Sequence, residues 1–545
     1  DRYLPYIVLA IALVVAFGRS TVTIVFVIAS IAELQSIATM EALASGLPVV
    51  AADAMARYKR MRGADVFFLT GMDEHGQKIQ RTAEAAGMKP QDFVDKMAVD
   101  IKALWKLLDV KYDGFIRTTD EHHVKAVQAI VTRLKDQDDL YKGSYTGLYC
   151  TPCEAFWTPS QAPGGKCPDC GGELEETEES CYFFRLSKYQ DRLMALLSTE
   201  GFVMPASRAN EMINNFLKPG LADVAVTRTS FDWGVHVPFD PDHVVYVWID
   251  ALSNYITALG YPDEPALFER YWPADVHLIG KEIMRFHSLI WPALLMALDL
   301  PVPKHIFGHG WLLLKEGKMS KSKGNVVDPV ILVDQYGVDA IRYFLLREVP
   351  FGADGVFSNQ ALIERMNSDL ANDLGNLLSR TVAMIAKTFP EGLPEDHLSE
   401  TVDTELDDHA DETKKLVEAH MEKLEFSLSL EAIWAQIGRC NKYIDVTMPW
   451  VLAKNETDHK RLAAVLYTLA DNLRRIAVLI SPYMTTTPSL IREQLGIPEE
   501  VAFTAWETAG ERGLYVVNDR VVKGKAMFPR IDVEKELEAL EAMLA

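Results

Sequence analysis

Cys150-x2-Cys153 and Cys167-x2-Cys170 stand thirteen residues apart, with Gly164-Gly165 and Pro168 supplying turns. Each C-x-x-C knuckle presents two thiolates to one metal ion, and two knuckles complete a tetrahedron. A four-thiolate site has no open position for water, so the zinc it takes is structural. The chain has only six cysteines. A metal set rather than a disulfide framework points to a reducing compartment, and the expected location is the cytoplasm. Cys181 and Cys440 lie outside the pattern and read as core residues. The acidic run over 173–179 reads as a solvated face.

On both sides of this module, apolar strands alternate with helical stretches. Residues 52–62 form a helix with a basic end, and 65–70 an apolar strand that runs into the polar loop Gly71-Met72-Asp73-Glu74-His75-Gly76. Helical stretches follow to about residue 141. Beyond the module, 244–251 reads as an apolar strand with a carboxylate at its end, and 275–282 as a strand entering a helix that carries Phe286 and His287. A third strand spans 306–314. The pattern predicts an α/β protein in which a Rossmann-type parallel sheet is split by the zinc-binding insertion. Ligands of such sheets collect outside the carboxyl ends of the strands, which is where Asp73 and His75 fall. From about residue 361 the pattern turns to long amphipathic helices, an all-α bundle.

A chain of 545 residues accommodates several domains. The boundaries read as an atypical apolar segment over 1–50, the first half of the sheet over 51–140 and the connective insertion over 141–225. The second half follows over 226–325, then a linking stem over 326–375 and the helical domain over 376–545. The formal net charge of −22 excludes indiscriminate nucleic-acid binding but leaves room for local basic patches. One is Arg57 to Arg62. The other is Lys318-Met319-Ser320-Lys321-Ser322-Lys323, where three ammonium groups near a flexible glycine suit a closing polyphosphate. Between residues 4 and 32 there is a single charge, Arg19. Two buried strands and a membrane contact both fit that stretch, and the membrane reading is the weaker.

The chain resembles the methionyl-tRNA synthetase family of class I aminoacyl-tRNA synthetases. The motifs that carry the resemblance are F-L-T-G-x-D-E-H-G, the paired knuckles, V-T-R-T-S-F-D-W-G, Y-V-W-x-D-A, H-L-I-G-K-E and K-M-S-K-S-K-G-N, in that order from about residue 51. The resemblance implies a methionine–tRNA ligase, which uses ATP with Mg2+ to make methionyl-adenylate and passes the methionyl group to the 3′ end of the methionine tRNA. It implies that Lys318 and Lys321 are catalytic and bind ATP with Ser320 and Ser322. Asp73, Arg228, Trp248, Tyr255, Phe286 and His287 are implied as the methionine site. Asn376, Arg380 and Trp450 are implied to contact the anticodon. The expected partners are ATP, L-methionine and the methionine tRNA. No appended dimerisation domain follows the bundle, so a monomer is expected.

The chain departs from the family over residues 1–50, where the upstream strand is unrecognisable. The second class I signature, His-Ile-Gly-His, should fall at 42–45, where this sequence reads Ala42-Leu43-Ala44-Ser45. The departure leaves a second reading, a fusion or chimeric chain that binds tRNA and zinc with impaired catalysis. Met40 to Val50 also resembles the donor-binding stretch of two-domain glycosyltransferases, in which Gly-x-Pro-Val makes a turn.

Overall fold

The structure is a computed structural model that describes residues 21–26, 29–30, 41–151, 155–157, 162, 164–168, 171–314, 329–498, 505–515 and 520–544. It divides into two compact units. One comprises Asp1–Ala52, Asp65–Lys106 and Val110–Trp311, and the other Asp53–Ala64, Leu107–Asp109 and Leu312–Ala545.

The first unit is built on a parallel sheet. Its strands are β1 (Thr21–Phe26), β2 (Ala29–Ser30), β3 (Asp65–Asp73), β4 (Gly114–Arg117), β8 (Val203–Met204), β12 (Val276–Gly280) and β13 (His305–His309). The order is β2-β3-β1-β12-β13-β8, with β4 also paired to β3. β1 lies between β3 and β12, with Ile24 opposite Phe68 and Val276. Part of the apolar stretch over 4–32 is therefore a strand in the middle of the sheet. The other residues of that stretch lie outside the described ones. No helix among the described residues is long and apolar enough to cross a membrane.

An antiparallel sheet interrupts the parallel one. β5 (Leu140–Cys150), β6 (Ala155–Trp157), β7 (Glu175–Phe184) and β9 (Val224–Ala225) run in the order β6-β5-β7-β9. β10 (Thr227–Arg228) pairs with β11 (Val244–Val245) as a short antiparallel ribbon. The helices that matter for the site are α1 (Glu41–Met61), α2 (Gln77–Ala85), α3 (Glu121–Asp136) and α4 (Val247–Thr257). α3 buries Val127, Ile130, Val131 and Leu134, the i, i+3, i+4, i+7 face of an amphipathic helix. All eleven residues of α4 are buried.

Four sequence expectations change here. The run 244–251 is a two-residue strand followed by a helix, because Tyr246 is the extended residue at which α4 begins. A continuously apolar, fully buried segment has no period from which to tell the two apart. The expected strand over 306–314 is two strands. β13 belongs to the parallel sheet, while β14 (Leu312–Leu314) pairs with β15 (Gly355–Phe357) in the second unit. The helical stretch before residue 141 contains β4, and the Gly46-Leu47-Pro48-Val49 segment read as a turn is helical, inside α1.

The second unit is a helical bundle, as expected. Its helices include α5 (Val338–Glu348), α6 (Asn376–Thr388), α7 (Thr401–Met421), α8 (Phe426–Thr447) and α9 (His459–Ile480). Nineteen residues of α9 are buried, which makes it the central helix. Arg342 on α5 is fully buried. It donates to Asp53 Oδ2 at 2.7 Å and to the carbonyls of Leu108 and Tyr483 at 3.0 and 2.8 Å. Asp339, one turn earlier, accepts the backbone N–H groups of Thr485, Thr486 and Thr487.

Candidate active site and nucleic-acid interface

At the carboxyl edge of the parallel sheet, β3 ends on Asp73 and β12 on Gly280, followed by Lys281 and Glu282. The chain passes close here. A Cβ at Gly71 would collide with the Ile116 carbonyl of β4, and one at Gly280 with the Glu282 carboxylate. The small residues let backbone and carboxylates crowd the strand ends. Trp311 donates its indole N–H to Glu282 at 2.8 Å, and the Lys281 ammonium sits 4.0 Å from the Trp311 ring centre.

Four of the six residues expected to hold methionine form one aromatic cluster. Trp248 stacks on Phe286 with ring centres 3.9 Å apart and planes 7° from parallel. The Trp248 ring is edge-on to His287 at 6.4 Å. Tyr255 and His287 are hydrogen-bonded, Oη to Nε2, at 2.7 Å, and His287 Nδ1 donates to the Ile283 carbonyl at 3.0 Å. Burial pushes the His287 imidazole down to about 4, so the ring is neutral near pH 7. Its Nδ1 carries the proton, its Nε2 accepts, and Tyr255 is the donor. Burial, reinforced by the negative charge of Asp73, pushes the Tyr255 phenol well above its usual range. Asp73, itself buried, is thus close enough to be felt in the cluster.

The sixth expected residue sits elsewhere. Arg228, on β10, is 2% exposed, and it contacts both the inserted sheet and the residues just after β10. Its guanidinium bonds Glu179 and Ser230 and lies 4.0 Å from the Tyr149 ring centre. Glu179 is therefore not part of a solvated acidic face. It is buried against Arg228 and accepts the Thr229 N–H at 3.0 Å.

Sequence reasoning missed a second layer. Asp250, fully buried on α4, joins two imidazoles: His75 Nδ1 to one carboxylate oxygen at 2.7 Å, and His123 Nε2 to the other at 2.8 Å. His123 Nδ1 meets Thr257 Oγ1 at 2.7 Å. Burial alone would raise the Asp250 carboxyl, but the two histidines outweigh it and hold it at about 2. His277, on β12, packs at a tilt against Tyr255 with ring centres 4.3 Å apart and accepts the Trp291 indole N–H at 3.3 Å. The Y-V-W-x-D-A motif contained the signal for Asp250. A buried helix of eleven residues with one carboxylate needs a partner for that charge.

Lys318, Ser320, Lys321 and Ser322 lie outside the described residues, as do Cys153 and Cys170. Cys150 and Cys167 are described, and both are buried. Around Cys167 the backbone turns tightly: Cys167 N–H donates to the Gly172 carbonyl and Gly171 N–H to the Cys167 carbonyl, each at 2.8 Å, with Gly171 at φ 74°. Two buried thiols, one on such a turn, fit the knuckle expected there. Among the described residues no group of three or more His, Cys, Asp or Glu is placed to hold a metal.

In the second unit the expected anticodon residues converge. Asn376 and Arg380 lie one turn apart on α6, and the Arg380 guanidinium is 6.0 Å from the Trp450 ring centre. Trp450 is 45% exposed, beside Val446, Met448 and Val451, which are exposed to similar extents. Met448 ends α8 in the left-handed region at φ 43°, and Pro449 then starts the turn of helix that displays the indole.

The sequence matches the profile of the family described as tRNA synthetases class I (M) over residues 43–181 and 171–382. It is 62% identical over 494 residues to a methionine–tRNA ligase of Caldanaerobacter subterraneus subsp. tengcongensis, covering 90% of this chain and 77% of that one. A methionine–tRNA ligase of Clostridium tetani is 56% identical over 496 residues, 91% of this chain and 77% of the other. Among solved structures, a Mycobacterium tuberculosis methionyl-tRNA synthetase bound by methionyl-adenylate superposes with a TM-score of 0.88 at 40% identity. The match covers 94% of this chain and 100% of that chain.

Proposed function

The chain belongs to the methionyl-tRNA synthetase family of class I, and from that premise we propose that it is a methionine–tRNA ligase. It activates methionine with ATP as methionyl-adenylate and then transfers the methionyl group to a hydroxyl at the 3′ end of the methionine tRNA, with AMP leaving. The observation that carries the reading is the neutral aromatic pocket of Trp248, Phe286, Tyr255 and His287 beside the Asp73 carboxylate. Asp73 suits the α-ammonium group, and the polarizable thioether packs on the aromatic faces while the phenol and imidazole offer weak hydrogen bonds. An imidazolium there would repel the substrate's ammonium group, and burial keeps the ring uncharged.

In the first step a methionine carboxylate oxygen forms a bond to the α-phosphorus of ATP. The bond from that phosphorus to the bridging oxygen breaks, and pyrophosphate leaves with the electron pair. Lys318 and Lys321, with Ser320 and Ser322 beside them in sequence, neutralise its charge, and an Mg2+ ion bound with ATP would add to that neutralisation. Positioning does the rest, and no side-chain nucleophile is required. Arg228, fixed by Glu179, supports the wall of the site from the inserted sheet. Cys150, Cys153, Cys167 and Cys170 hold a structural zinc ion in that insertion. Asn376, Arg380 and Trp450 receive the anticodon, the indole serving as a stacking platform for a splayed base.

The alternative of a non-catalytic tRNA- and zinc-binding chain gains no support from the relatives. Methionine-dependent ATP–pyrophosphate exchange tests the proposal on the chain as it stands, with Ala42 and Ser45 where the family signature has histidines. Exchange specific to methionine is the expected result, and its absence overturns the reading.

A further inference from the structure

The loop that carries Asp73 is held from several sides. Glu74 N–H donates to Thr118 Oγ1 at 2.9 Å, the Trp233 indole donates to the Glu74 carbonyl at 2.7 Å, and Gly76 N–H donates to the Trp233 carbonyl at 3.1 Å. These bonds fasten it to the end of β4 and to the segment after β10. The bond from His75 to Asp250 fastens it to α4. That helix carries Trp248 two residues before Asp250 and Tyr255 five residues after it. The path from Asp73 to the aromatic pocket is therefore two residues of chain, one hydrogen bond and less than two turns of helix. On the far side, His123 grips both the second Asp250 oxygen and Thr257, seven residues further along α4 on the same face. Neither imidazole has a task in the proposed chemistry.

We propose that the His75–Asp250–His123 chain is a spacer that sets the distance between the ammonium-binding carboxylate and the thioether pocket. His75 and His123 are then positioning residues that determine which amino-acid length is accepted. The inference rests on the methionine-activating reading above. An amino acid is recognised at two ends, and a pocket alone separates neighbours differing by one methylene by only about 1–3 kcal/mol. Holding the two ends at a fixed separation prevents the site from stretching to fit the longer homologue. A displacement of about 1 Å at a reacting centre is enough to cost on the order of a hundredfold in rate.

The test is ATP–pyrophosphate exchange by the full chain and its variants, with methionine and with ethionine, which is longer by one methylene. In His75→Ala the KM for methionine should rise about tenfold while that for ATP stays within about twofold, and the preference for methionine over ethionine should shrink. His75→Asn, whose amide N–H stands where Nδ1–H does, should recover most of both. A KM for ATP that rises in step with that for methionine, an unchanged preference, or an Asn variant no better than Ala overturns the spacer. Should H75A not fold, His123→Gln carries the same comparison, because it keeps a donor for Asp250 and loses the bond to Thr257. The parent chain, assayed in parallel, separates the two ideas. No methionine exchange there overturns the functional reading itself, whereas normal exchange with an unchanged preference in the variants overturns the spacer alone.

Discussion

A histidine buried as a neutral ring ties stability to pH. The His287 imidazole sits at about 4 in the folded chain against 6.5 unexposed to such an environment, so the unfolded state binds the proton more readily. Stability is then full above the unfolded value and is lost as pH falls from about 6.5 towards 4. For this group alone the loss at pH 5 should be on the order of 2 kcal/mol. His277, also pushed down by burial, adds in the same direction. Urea unfolding at pH 7.5 and pH 5 should show the difference, and His287→Gln should flatten part of it. In the other unit, Arg342→Met removes a cation from the buried Asp53, which keeps its ion pair with Arg57, and strands the carbonyls of Leu108 and Tyr483. A cost of about 3–5 kcal/mol is expected, read as a lowered urea midpoint. These second-layer residues were hard to read from sequence. Nothing in a one-dimensional string pairs Asp250 with His123, and Glu179 sits in a run that looks uniformly solvated until the backbone alternates its side chains.

Elements were legible where periodicity was strong and lost where burial was complete. α3 announces itself by Val127, Ile130, Val131 and Leu134. α4, buried on every side, does not, and its first residues pass for a strand. Two element-scale outcomes follow from close packing and from display. Gly71→Ala puts a methyl against the Ile116 carbonyl, so β3 and β4 must part beside Asp73. A loss of about 1–3 kcal/mol in stability with a raised methionine KM is expected from thermal unfolding and exchange kinetics. Trp450→Ala removes a half-exposed ring at the start of a short helix and should leave thermal stability and exchange unchanged. Its effect should fall on tRNA, with affinity weakened by about 1–3 kcal/mol in direct binding. In the sequence Trp450 stood out through the family resemblance, because a Trp after a Pro is by itself equally a packing residue. Its pairing with Arg380, seventy residues earlier in the chain, is a property of the fold.

At the scale of the molecule, the alternation of strands and helices gave the class of fold. Chemistry-bearing motifs gave the family. The N-terminal stretch gave neither, because an apolar run without period fits strand and membrane alike. The insertion makes its own prediction. The purified chain should hold one zinc ion per molecule by elemental analysis, and Cys150→Ser or Cys167→Ser should lose it, with a lowered unfolding temperature.

β1 separates β3 from β12, although Leu69 and Val276 are more than two hundred residues apart in the chain. On a ribosome that adds about 5–20 residues each second, the second flank of β1 arrives on the order of ten to forty seconds after the first. In that interval the antiparallel insertion, built from neighbours in sequence, has time to close, while the central strand of the catalytic sheet still has one open edge. The nascent chain thus carries an unpaired central edge through one defined stage of its synthesis, and the stage ends when β12 emerges.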